Sequence, residues 1–155
     1  VIDLNAVQSL IAGWWFEYDQ GNFDVWSDYW TADAHFSCRS DSGQTDFEEF
    51  VRADCTGRDT IVAWNTEHRK ASPYPLRHIG TNVHITATRN GEADFRSYLF
   101  TSHVVDGLAS NLTTGIVAGT VRQEGDVVRF SELGIVLDMT ASVAFAEASR
   151  FPLVV

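Results

Sequence analysis

Positive charge is scarce in this chain: 11 Lys and Arg stand against 21 Asp and Glu in 155 residues, a net charge of −10. The basic residues form no patch, which argues against nucleic acid and anionic membrane surfaces as partners. Cysteine is scarcer still. Cys38 and Cys55 are too few for a disulfide framework or a zinc site, and both read as reduced thiols. No run of about 18 apolar residues occurs, so no membrane span is expected. The opening "VIDLNAVQSL" has neither the basic start nor the long apolar centre of a signal peptide, and a cytoplasmic location is the expectation. Also missing are the Walker loop, GxGxxG, GxSxG, HExxH and CxxC patterns, so no cofactor is implied. Asp33 and His35 share a strand face, but two ligands alone do not make a metal site, and none is assigned.

What is present is 45% hydrophobic residues and only three prolines, enough for one domain over 1–155 with a real core. Leu4, Val7, Leu10, Ile11, Trp14, Trp15 and Tyr18 repeat at helical spacing, and the stop is near Gly21 and Asn22. A short second helix, "FDVWSDYW", and a short strand, "DAHFSCR", follow. "TDFEEFVRA" opens with a capping box from Thr45 to Glu48. A further helix is expected around Asp59 to Lys70. Four long strands come next: "LRHIGTNVHITATR", "ADFRSYLFTSHVV", "LTTGIVAGTVRQ" and "VVRFSELGIVLDM". Tight turns are expected at 90–92 and 124–126, and a longer connection at 106–111. Helices first and an antiparallel meander after predict an α+β fold, with helices on the concave face of a curved sheet.

In the strand from Leu76, alternation places His78, Gly80, Asn82 and His84 on one face and Ile79, Val83 and Ile85 on the other. An apolar convex face seeks a partner, so a homodimer or homotrimer is expected. His78 and His84 lie about 20 Å apart along the strand and cannot share a metal. Counting across the 90–92 turn sets His103 opposite Arg77 or His78. Asp19, at the end of the first helix, is placed to reach the His78 imidazole. A carboxylate beside an imidazole fixes its tautomer and makes a general base, which suits proton abstraction next to a carbonyl or elimination of water. Trp14, Trp15, Tyr18, Tyr29 and Trp64 are the expected pocket walls. The competing view is structural: a lone strand histidine usually serves the fold, and Trp and Tyr at helical spacing are usually core. His35, His68 and His84 read as structural or surface residues, and Arg69 with Lys70 as a solvated helix end.

Three stretches carry a family likeness. "WWFEYDQGNFDVWSDYWTADAHF" and "LRHIGTNVHI" resemble the opening and the His/Asn strand of the SnoaL-like group in the nuclear transport factor 2-like superfamily. "EGDVVRFSELGIVLD" resembles its last long strand. The resemblance implies a cone-shaped, cystatin-like α+β barrel and a cofactor-independent lyase, isomerase or cyclase acting on a small hydrophobic cyclic substrate. In the related scytalone dehydratases and hexachlorocyclohexane dehydrochlorinases an Asp–His dyad is catalytic, and Asp19 and His78 match it. His103 matches a second pocket histidine of the former, and Asn82 the strand asparagine. The dehydrochlorinases have a Lys where Trp14 falls, so their particular elimination is not expected. "LRHIGTNV" equally resembles the small subunits of ring-hydroxylating dioxygenases, in which these residues are framework. A protein that binds a hydrophobic ligand without turnover is the third possibility.

Overall fold

Asp3 begins the first helix by accepting the Ala6 N–H at 2.9 Å, and α1 runs Leu4–Gln20. It stops at Gly21, whose φ of 68° only glycine adopts freely, and the Gly21 and Asn22 N–H groups return to the Tyr18 and Glu17 carbonyls. The computed structural model describes residues 1–148; the sequence leads one to expect 141–155 as a C-terminal tail covering the pocket or a neighbouring subunit, and the end of that tail, 149–155, lies outside the described residues. The expected short second helix is present as a 3-10 helix, Phe23–Tyr29. Then come β1 (Trp30–Ser40), α2 (Glu48–Val51), β2 (Ala53–Thr56), α3 (Arg58–Ala71), β3 (Leu76–Arg89), β4 (Glu92–Val105), β5 (Leu108–Glu124) and β6 (Val127–Leu137).

The six strands form one mixed sheet in the order β2-β1-β6-β5-β4-β3. Only β1 and β6 run parallel. The sheet is curved and does not close. α1 lies against β3, and α3 against β1. Between helices and sheet sits an aromatic core: Trp14 packs on Trp26 and Trp30 at 5.5 and 5.1 Å, and Trp30 on Phe130 at 5.3 Å.

Four local expectations need correction. The capping box does not form: Phe47 stands at the start of α2 with no side-chain cap. Glu48 instead turns its carboxylate onto the backbone N–H and hydroxyl of Ser40, a partner 8 residues back that the local pattern does not show. β2 went unread because four residues are too few to show a period. The 106–111 connection is a two-residue turn, with Asp106 and Gly107 at φ 51° and 78°, the left-handed pair that matches strand twist.

The fourth correction bears on the site. Asn82 adopts φ 56° and sits in a bulge where β3 has two residues against one on β4, between the pairs Thr81↔Tyr98 and His84↔Arg96. One extra residue sends every later side chain to the other face. Val83 and Ile85 therefore pack on the core, while His84 and Asn82 point out. A second shift follows between Ile85 and Ala87. Together they bring His103 opposite Leu76, and Thr101 opposite His78. An even displacement keeps His78 and His103 on the same face.

Candidate active site

The helices and the concave sheet face enclose a cavity of about 680 Å³. Trp15 and Tyr18 reach it from α1, Trp64 and His68 from α3, His78 from β3 and His103 from β4. Phe47 and Phe50 stand at its rim, both partly exposed. Among the described residues no Lys or Arg lines it. Such a wall takes an uncharged, largely apolar guest.

At one end Asp19 and His78 meet. The Asp19 side chain is 4% exposed, and both its oxygens serve His78: Oδ1 is 2.6 Å from Nδ1, and Oδ2 accepts the backbone N–H at 2.7 Å. The two-point grip fixes the strand and the ring together. With Nδ1–H donated to the carboxylate, the lone pair of Nε2 is left free. The ring stacks on Trp15 at 4.6 Å and meets the edge of Tyr18 at 5.3 Å. Arg69 secures the helix end that carries Asp19. The residue is 7% exposed, and its guanidinium donates to the carbonyls of Tyr18, Asp19 and Pro73 at 3.0, 2.8 and 3.1 Å. It is buried, contrary to the solvated helix end expected of it. The last turn of α1 presents carbonyls that need donors, and Arg69 supplies them.

His68 is a cavity residue that the sequence reading left outside the site. Its Nδ1 lies 2.6 Å from the Tyr18 hydroxyl, and its ring is stacked on Trp64 at 4.7 Å with Phe50 at 4.5 Å. Burial, aided by nearby His78 and Arg69, pushes its pKa down from 6.5 to about 4, so the imidazole is neutral near neutral pH. Burial also pushes the Tyr18 phenol far above its ordinary value. The hint in the sequence was Trp64 and His68 four apart, on one helix face.

Linkage gives His68 a measurable signature. Below pH 6.5 the unfolded chain takes up a proton that the folded chain resists until about pH 4. Its share of stability is therefore complete above pH 6.5 and falls as the pH drops toward 4, by on the order of 2 kcal/mol. Urea midpoints across that window should fall in the wild type, and fall less in His68→Phe.

Other expected residues lie elsewhere. Trp14 is 1% exposed and belongs to the aromatic core, not the cavity wall. Tyr29 packs on the far side of α1, where its hydroxyl would lie 2.8 Å from a Cβ at Gly13. Asn82 is turned out by the bulge. His35 pairs with Asp54 at 2.7 Å and Asp33 with Arg122 at 2.9 Å, so ion pairs account for both. Cys38 lines the cavity, but burial pushes its thiol up to about 12, which leaves it protonated and unreactive. Among the described residues, no three His, Cys, Asp or Glu are grouped to hold a metal ion.

Comparison with known proteins places this geometry. An NTF2-like protein with a cystatin-like fold from Novosphingobium aromaticivorans superposes with a TM-score of 0.71 at 20% identity, over 96% of this chain and 90% of the other. A protein from the same organism, assigned provisionally as a scytalone dehydratase, gives 0.70 at 16% identity over 88% and 84%. The beta subunit of benzoate 1,2-dioxygenase from Burkholderia mallei gives 0.68 at 20% identity over 88% and 91%. Identities this low speak for the fold alone. No curated protein gives a significant sequence match. A sequence model of the SnoaL-like domain matches residues 1–133, and the chain belongs to that family.

Proposed function

We propose that the chain is a cofactor-independent acid/base enzyme of the lyase or isomerase kind, which takes a proton from carbon in a small, uncharged cyclic substrate. One observation carries this reading: the His78 ring, fixed by Asp19 through Nδ1, keeps Nε2 without a partner among the described residues, on an apolar cavity. The lone pair of Nε2 removes the proton, and the Asp19 carboxylate stabilises the imidazolium that forms. Trp15 and Tyr18 exclude water from the ring. His103, on the same cavity and unpaired among the described residues, is the second proton carrier, suited to protonating a departing hydroxyl or the product. Dehydration, isomerisation and cyclisation all begin with this step.

The direct test is exchange of α-protons from cyclic ketones into D2O, followed by NMR with and without protein. Catalysed exchange supports the base. A ligand that binds and neither exchanges nor turns over points to a carrier. The likeness to a dioxygenase beta subunit favours a second reading, a structural small subunit, which predicts stable co-assembly with an iron–sulfur large subunit. In either case the outer sheet face, with Ile79 and Tyr98 49% and 55% exposed, serves self-association as a dimer or trimer.

A further inference from the structure

Most of the unpaired buried polar groups among the described residues lie away from the cavity, and one does not. Trp14 Nε1, Trp30 Nε1, Thr31 Oγ1, Thr45 Oγ1, Ser97 Oγ and His68 Nε2 have no hydrogen-bond partner among the described residues. Of these residues, His68 alone lines the cavity. A buried, unpaired polar atom has lost its water without gaining a partner, and one beside a ligand cavity is a contact waiting for a ligand.

The proton on the imidazole can be placed from its contacts. Ser72 commits its hydroxyl to the His68 carbonyl at 2.7 Å. If His68 Nδ1 carried the proton, the Tyr18 hydroxyl hydrogen would be left to the Ser72 oxygen and the Nε2 lone pair would be unpaired. If Tyr18 donates to Nδ1, the unpaired group is Nε2–H. The 2.6 Å contact favours the second arrangement, being an ordinary length for an O–H donor and short for an N–H donor. His68 then offers the cavity a hydrogen-bond donor, where His78 offers an acceptor. Both rings contact Tyr18, with centroids 6.4 and 5.3 Å from it.

We propose that His68 is a further substrate-contacting residue: its Nε2–H donates to a carbonyl oxygen of the substrate, while His78 Nε2 faces the adjacent C–H. This rests on the reading of His78 as the base. When the C–H bond breaks, its proton passes to His78 Nε2 and its electron pair forms the C=C bond. The carbonyl π pair moves to oxygen, and the resulting enolate is held by His68 Nε2–H. A neutral imidazole suits this role, since it donates without surrendering its proton and needs no counter-charge. In the structure Nε2 is closed to water, with the Phe50 and Trp64 rings packed against the imidazole at 4.5 and 4.7 Å. A ligand oxygen reaches it by displacing Phe50, which is 39% exposed on the four-residue α2.

The test compares 1-indanone with indane, the same bicycle without the carbonyl, by quenching of tryptophan fluorescence. In His68→Leu the ketone-to-hydrocarbon affinity ratio should fall about tenfold, the loss of one hydrogen bond, while indane still binds and reports an intact cavity. In the wild type, the Nε2–H resonance of His68 should shift with 1-indanone and stay in place with indane, a readout that does not depend on the variant folding. An unchanged ratio in His68→Leu, a resonance indifferent to the ketone, or no binding of either compound would overturn the proposal. Exchange of the indanone α-protons into D2O separates the two readings. Exchange with no effect at His68 unseats His68 and leaves the base. A His68 effect without exchange keeps the donor and unseats the base.

Discussion

His78→Ala should lower the rate of α-proton exchange by about 10²–10⁴-fold, the usual contribution of a positioned general base. The fold should survive, because Asp19 Oδ2 holds the backbone N–H of residue 78 whatever the side chain. Asp19→Asn is the sharper experiment. The amide can offer an N–H to Nδ1, which drives the imidazole proton to Nε2 and removes the lone pair that faces the cavity. A loss of about 10³-fold or more should follow with little change in structure. Imidazole ¹⁵N shifts check the cause independently of rate: Nε2 should change from an acceptor nitrogen to a protonated one. Exchange that survives both substitutions would remove the dyad from the mechanism.

Arg69→Leu carries the largest expected effect on stability. It strips donors from the carbonyls of Asp19 and Pro73. Tyr18 is less affected, since its carbonyl also accepts the Gly21 N–H. Carbonyls left without donors predict a destabilisation of about 2–5 kcal/mol. For a chain of this length the melting midpoint should drop by about 10 °C. Arg69→Lys should recover only part of that, because one ammonium cannot serve carbonyls that a planar fork reaches from several directions. A drop under about 1 kcal/mol in Arg69→Leu would mean that the helix end holds itself.

The long elements were legible because each repeats its pattern many times. Helix α1 shows its buried stripe from Val7 to Tyr18, and the hairpin at 90–91 shows its glycine. The Asp19–His78 contact was also within reach, given a helix end and a strand start on the same side of the sheet. What escaped was set by partners distant in sequence. Glu48 was drawn from a local cap to Ser40. Arg69 was drawn inward by carbonyls some 50 residues away. His68 looks polar and peripheral in "NTEHRK" until Tyr18 is placed beside it. The Asn82 bulge leaves no mark on hydrophobic alternation except a break easily taken for noise, since both Val83 and Ile85 still look like strand residues.

That bulge has an evolutionary consequence as well as a geometric one. β3 behaves like text with a two-letter reading frame, and its two irregularities keep the frame at the histidine end in phase with the far end. The extra letters are Asn82 and the residue between Ile85 and Ala87. Losing either one only closes its bulge: without Asn82, Val83 falls opposite Ser97, and Leu76, His78, Val83 and Ile85 still share a face. Each irregularity is therefore a spare letter, and single-residue deletions in this strand should be tolerated where they remove a bulge, while a single insertion needs a new bulge to keep the phase.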